Sequence, residues 1–124
     1  MANPNLIRNF KAEAAVGKFL IVKLGAADGQ VLQGAAVADK LIGVSTDIDA
    51  AINERCDVIL DGVADVIYGA AVTRGDLLTT DANGKAVTAA PGAGVNNRVI
   101  GTALVSGVLN DVGQVNIMPS MMQG

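Results

Sequence analysis

Histidine and tryptophan are absent from this chain of 124 residues, cysteine occurs once, and Phe10, Phe19 and Tyr68 are the only aromatic residues. Without histidine the chain lacks the commonest general base, the usual activator of a serine or cysteine nucleophile and the commonest metal ligand. Cys56 lies between Arg55 and Asp57 in an acid-rich stretch that raises a thiol pKa, so it reads as a small structural residue. A lone cysteine forms no intrachain disulfide, which fits a reducing compartment. Every apolar run is broken by Gly, Asp or Lys well before the ~20 residues of a membrane-spanning helix. The start, Met1-Ala2-Asn3-Pro4-Asn5, has neither the basic end nor the apolar stretch of a signal peptide. Neither a membrane nor nucleic acid is an expected partner, since net charge is −3 and no basic stripe lies outside residues 1–23.

The remaining candidates for chemistry fare no better. Ser45, Ser106 and Ser120 have no lysine at the Ser-x-x-Lys spacing that would activate them. Asp47-x-Asp49 and Asp57, Asp61 and Asp65 raise the question of a divalent cation, but on strands such spacings do not converge. Asp81-Ala82-Asn83-Gly84 is better read as a tight turn than as part of a calcium loop, whose first and last ligands would fall on Thr79 and Ala90. No catalytic residue, cofactor or metal is expected.

What is present is repetition. Asp28-Gly29, Leu41-Ile42-Gly43-Val44 and Asp57-Val58-Ile59-Leu60 recur as Asn83-Gly84, Val99-Ile100-Gly101-Thr102 and Gln114-Val115-Asn116-Ile117. Gly84 follows Gly29, Gly101 follows Gly43 and Val115 follows Val58 at offsets of 55, 58 and 57 residues. Gly34-Ala35-Ala36-Val37 likewise returns as Gly69-Ala70-Ala71-Val72, a packing signature of close backbone approach. Turn signals every 8–12 residues or so, and no sustained helical period, predict about ten short strands in a small all-β barrel or sandwich. Two pseudo-repeated units, about residues 16–68 and 69–118, would form this single domain. Asp61-Gly62 is expected to turn between two strands, and residues 89–97 to form a loop.

Residues 1–15 show no period and are read as an extended N-terminal arm, with one helical turn allowed near residues 11–15. Leu6, Ile7 and Phe10 are apolar there, so the arm should pack on the domain's own edge or on a partner. Residues 119–124 form a C-terminal tail. Apolar residues make up 51% of the chain, but with so few aromatics the core is thin at ~25 cal/mol per Å². The half from Gly75 onward carries only Asp76, Asp81, Lys85, Arg98 and Asp111 as charges, a pattern of interface more than of open surface.

The segment Gly75-Asp76-Leu77-Leu78-Thr79-Thr80-Asp81-Ala82-Asn83-Gly84-Lys85-Ala86-Val87, with Val99-Ile100-Gly101-Thr102-Ala103-Leu104 and Gly113-Gln114-Val115-Asn116-Ile117, resembles the tailed-phage capsid cement, or head-decoration, proteins. The first half carries a weaker parallel, and together the two cover roughly residues 16–118. The resemblance implies a non-enzymatic β domain, made in the host cytoplasm, that binds the outer surface of the assembled head. Such a protein would bridge major capsid protein subunits, commonly as a homotrimer and sometimes as a dimer. Arm residues Leu6, Ile7, Arg8, Phe10 and Lys11 and tail residues Met118, Met121 and Met122 are the expected contacts, the methionines because flexible side chains suit an adaptable interface. Removing residues 1–12 should then cost head binding and leave the domain folded. A virion-displayed receptor- or glycan-binding module is the alternative, with Tyr68 its one aromatic support, and a small oligomeric hydrolase using Asp47 or Asp49 comes third.

Overall fold

A computed structural model describes residues 3–124, leaving Met1 and Ala2 of the expected arm outside the described residues. Nine strands follow one another: β1 (Asn3–Ala12), β2 (Ile21–Leu24), β3 (Gln30–Gln33), β4 (Leu41–Ser45), β5 (Arg55–Ile67), β6 (Leu77–Thr80), β7 (Ala86–Thr88), β8 (Asn96–Ala103) and β9 (Val112–Gln123). They form one sheet in the order β1-β3-β2-β4-β5-β9-β8-β6-β7, and a further pairing of β1 with β5 closes the first part on itself. The fold is all-β, as the alternation and the turns predict.

The repeat is visible in the topology. β3-β2-β4-β5 in the first half is matched by β7-β6-β8-β9 in the second. Val22 pairs with Gly43 in one unit and Leu78 with Gly101 in the other. Both glycines follow an isoleucine at a register irregularity. A Cβ on Gly43 would run into the Ile59 carbonyl, and one on Gly101 into that of Asn116. The recurring Ile-Gly step is therefore a place where a neighbouring strand passes too close for a side chain.

The correspondence extends beyond the units that the sequence suggests. β1 pairs antiparallel with β5, Lys11 opposite Arg55 and Asn9 opposite Asp57. β5 pairs in the same way with β9, Ile67 opposite Val112 and Asp65 opposite Gln114. β1 runs parallel to β3 at Lys11–Gln30, and Tyr68 bridges in parallel to Ala86. Val16 bridges to Ala50 as Val72 does to Gly107, and Asn53 and Asn110 share the left-handed turn conformation at φ 68° and 69°. The molecule is thus two five-stranded rings in tandem, and β5 is the last strand of the first ring and the first strand of the second. Two buried clusters form the core: one, with Val22, Val31, Cys56 and Val58, lies within the first ring, and the other, with Val66, Tyr68, Leu78, Ile100 and Val115, also takes in Ile21, Leu41, Val44 and Ile59 from first-ring strands.

Three local expectations are corrected. The unpatterned N-terminal segment is a full strand, and the helical turn does not form because Lys11 and Ala12 belong to β1. Asp61-Gly62 does not reverse the chain but lies inside the unbroken strand β5. Gly62 has φ 91°, and a Cβ on it would stand 2.6 Å from both the Asn3 carbonyl and the Asn5 amide, so glycine serves the approach of β1. Finally, residues 119–123 are not a loose tail. They continue β9, and Met122 and Met121 pair with Asn97 and Arg98 of β8.

Candidate functional site

The expected contact residues fall into separate groups. Leu6 and Ile7 are 52% and 49% exposed, far beyond what strand residues of a closed ring need, and Met118 and Met121 reach 64% and 51%. Pro4 and Ile117 both pair with Gly62, from opposite edges of β5. The start of β1 and the middle of β9 therefore flank one point of β5, about 10 Å apart at the usual strand spacing. Leu6 and Met118 sit beside that point, since Leu6 pairs with Asp61 and Met118 follows Ile117.

The rest lie elsewhere. Phe10 is half-buried against the first cluster, and the Arg8 guanidinium covers its ring at 5.0 Å. Lys11 is opposite Arg55 at the far end of β1, and Met121 and Met122 extend along β8. Arm and tail are therefore parts of the two rings, with Leu6, Ile7, Met118 and Met121 turned outward.

Beside Ile7 the surface opens into a cleft of about 240 Å³ lined by Pro4, Ile7, Phe19, Ile59, Thr46 and Asp47. Phe19 holds φ 57° there, where the equivalent residue of the second ring is Gly75 at φ 95°. A side chain in the left-handed region costs roughly 1–2 kcal/mol. The Phe19 amide donates to the Thr46 carbonyl at 3.1 Å, and its carbonyl accepts from the Ile67 amide at 2.9 Å. These bonds hold the ring in place as a cleft wall.

The acidic residues have structural employment. Asp49 accepts from the Lys18 amide at 2.8 Å, Glu54 from the Ala51 amide at 2.8 Å, and Asp57 pairs with Arg55 at 2.9 Å. Among the described residues no group of three or more His, Cys, Asp or Glu converges on a point. Among the same residues no helix is long and apolar enough to cross a membrane. Tyr68, the aromatic support for a glycan site, is fully buried, and its hydroxyl donates to the Val105 carbonyl at 2.6 Å. It cannot stack on a sugar.

Cys56 is buried in the first ring, and burial, with the Asp57 carboxylate next to it, pushes its thiol above the ordinary value. The thiol should therefore resist iodoacetamide at pH 8 in the folded protein and react at the rate of a free cysteine in denaturant. Fast labelling of the folded protein would contradict that environment.

What sequence reasoning missed is two further exposed apolar groups, Ile48 and Ile52 in the β4–β5 connection, at 66% and 61%, and a larger set beyond β8. Leu104, Val105, Val108, Leu109 and Val112 all stand out of the β8–β9 connection. The signal was available in the loss of charge after Gly75, but no periodicity marks these residues as one surface.

Comparison with known proteins follows the same lines. A family model described as phage cement protein matches residues 9–117. Among solved structures, the N base of the head fiber of bacteriophage phi29 is similar, with a TM-score of 0.68 at 18% identity, over 96% of this chain and 98% of that one. At that identity the likeness concerns the fold. No curated protein matches the sequence.

Proposed function

Since the chain belongs to the phage cement protein family, we propose that it decorates the outer surface of the assembled phage head and stabilises the shell by bridging neighbouring major capsid protein subunits. The observation that carries this reading is a family match that spans both rings, residues 9–117. Its acidic charge of −3 and lack of a basic stripe favour the outer surface, since packaged DNA repels such a protein. The exposed Leu6, Ile7 and Met118 around Gly62, with the cleft beside Ile7, form the face offered to the capsid.

The mechanism is mass action. A ligand that binds the assembled shell, and not its separated subunits, stabilises it by RT ln(1 + [L]/Kd) per site. Copies that associate, as homotrimers in this reading, engage several capsid subunits at once, so modest single contacts add through multivalency. No step of this needs bond-making, and the protein acts as a structural component made in the host and carried on the virion.

The test is co-sedimentation with purified heads that lack the protein. Leu6→Lys combined with Met118→Lys places two charges on the proposed face and should lower occupancy at least about tenfold, because each desolvated charge opposes contact by more than 1 kcal/mol. Both side chains are exposed, so folding should persist. Wild-type occupancy by the double variant would remove this face from the interface. Heads that bind the wild-type protein should also release DNA at a higher temperature than bare heads.

A further inference from the structure

The two rings treat one place differently. In the first ring Ile7 of β1 pairs with Ile59 of β5, and Phe19 joins them in lining the cleft. In the second ring the equivalent pair is Val63 with Asn116, and Gly75 takes the place of Phe19. Asn116 is polar and exposed, so the fold needs neither an apolar floor nor an aromatic wall at this place. The first ring has both, and it holds Phe19 at φ 57° to do so. A side chain persists in that region only where its surroundings over-determine it, and such positions cluster at binding sites.

The surroundings are of that kind. The Lys18 amide donates to Asp49 at 2.8 Å, the Phe19 amide to the Thr46 carbonyl at 3.1 Å and the Leu20 amide to Ser45 Oγ at 3.0 Å. Ser45 Oγ in turn donates to the Gly17 carbonyl at 2.7 Å. Residues 17–20 are thereby pinned to β4 and to the connection after it. A wall fixed before a partner arrives loses little entropy when covered.

Charge at the cleft has one sign. Asp47 and Asp65 line it and no cation does; Lys18, next to Phe19 in sequence, is not among the lining residues. Asp47 is exposed, and among the described residues its carboxylate has no hydrogen-bond or ion-pair partner. Asp49 and Glu54 of the same connection, by contrast, accept from backbone amides. The hollow on the other side of Thr46 contains Arg55, but that guanidinium is paired with Asp57 at 2.9 Å.

We propose that this cleft receives an apolar side chain of the major capsid protein flanked by a lysine or arginine, the apolar group against Phe19 and Ile7 and the cation at Asp47. The inference rests on the reading of the chain as a head-decoration protein and names the chemistry that its partner presents. Complementary charge selects the partner and fixes its register, while the apolar contact supplies the area. Phe19 is the residue that sets specificity, since its wall serves a partner and not the fold.

Co-sedimentation with heads that lack the protein, beside urea unfolding of the free chain, provides the test. Phe19→Gly should lower head occupancy at least about tenfold, as loss of an aromatic anchor does, without lowering the unfolding midpoint. Phe19→Asn, tolerated at positive φ, serves in its place if glycine loosens the loop. Asp47→Lys should also lower occupancy at least about tenfold, by setting like charges together. Asp47→Asn should flatten the fall of occupancy with rising salt. Asp28→Lys, the same charge change in the exposed β2–β3 turn, should do neither. Wild-type occupancy by a folded Phe19 variant would overturn the proposal, and so would undiminished binding by Asp47→Lys. Binding lost only in proportion to stability would overturn it too, by making Phe19 a residue of the fold. So would a changed oligomeric mass in Phe19→Gly, which would give the cleft to a second copy. Loss of binding by Leu6→Lys with Met118→Lys alone would remove the cleft and leave the decoration reading standing, whereas heads that bind no wild-type protein would remove both.

Discussion

Gly113→Cys is expected to destabilise the protein by about 3 kcal/mol or more, read from urea unfolding. A Cβ on Gly113 would run into the Tyr68 ring, and one on Gly107 would stand 2.8 Å from its Cδ2. The first ring shows why the site is built so. Ala12 there occupies the place of Tyr68: the Ala12 amide donates to Glu54 and the Tyr68 amide to Asp111, while Asn53 donates to Ala12 and Asn110 to Tyr68. Ala50 and Cys56 correspond to Gly107 and Gly113.

The two rings thus fill the same space by different divisions of volume. One uses three small side chains, and the other uses one tyrosine against two glycines. Tyr68→Ala alone should cost about 3–5 kcal/mol, the range for truncating a large buried aromatic. Combining Tyr68→Ala, Gly107→Ala and Gly113→Cys rebuilds the packing of the first ring and should recover most of that loss. Residues in contact couple by 0.5–3 kcal/mol, so a triple variant as unstable as the sum of its parts would refute the compensation.

The second large effect concerns β1. Deleting residues 1–12 should unfold the first ring, contrary to what an unpatterned arm suggests. β1 closes that ring between β3 and β5, and its removal bares the edges of both strands together with Cys56 and Val58. The shortened chain should aggregate, or lose cooperative unfolding, and a synthetic peptide of residues 1–12 supplied in trans should restore it by strand addition. A soluble, cooperatively folded chain without β1 would show that the closure contributes little. Point substitutions, not truncation, are therefore the way to separate binding from folding here.

The fold class was legible because turns and buried strands obey local rules. Asp28-Gly29 and Asn83-Gly84 mark tight turns with Gly29 and Gly84 at φ 78° and 79°, and the repeated Ile-Gly steps kept their spacing. β1 was not legible because a strand with nearly every residue exposed has no reason to alternate. Gly62 misled for a related reason. Asp-Gly between apolar runs reads as a turn, but here its positive φ answers to a strand nearly sixty residues away in sequence, which no local pattern reports. The candidate faces were half legible. Leu6, Ile7, Met118 and Met121 are exposed, but only pairing on the two edges of Gly62 shows which of them lie together. The aromatic at Tyr68 gave no hint of its burial, since that depends on two glycines far down the chain.

The double membership of β5 bears on how such a chain could have grown. A second ring needs only four further strands, β6 to β9, because the fifth is already in place. No cut in the sequence then releases either ring whole: a break after β5 leaves the second without its opening strand, and a break before β5 leaves the first without its closing one. Lineages descending from such a duplication can alter loops and core fillings one ring at a time, as Ala12 and Tyr68 at equivalent places illustrate. They cannot exchange a ring as a module. An architecture of this kind lengthens by extension from its last strand, in the manner of knitting, where each new row is cast on the loops of the one before.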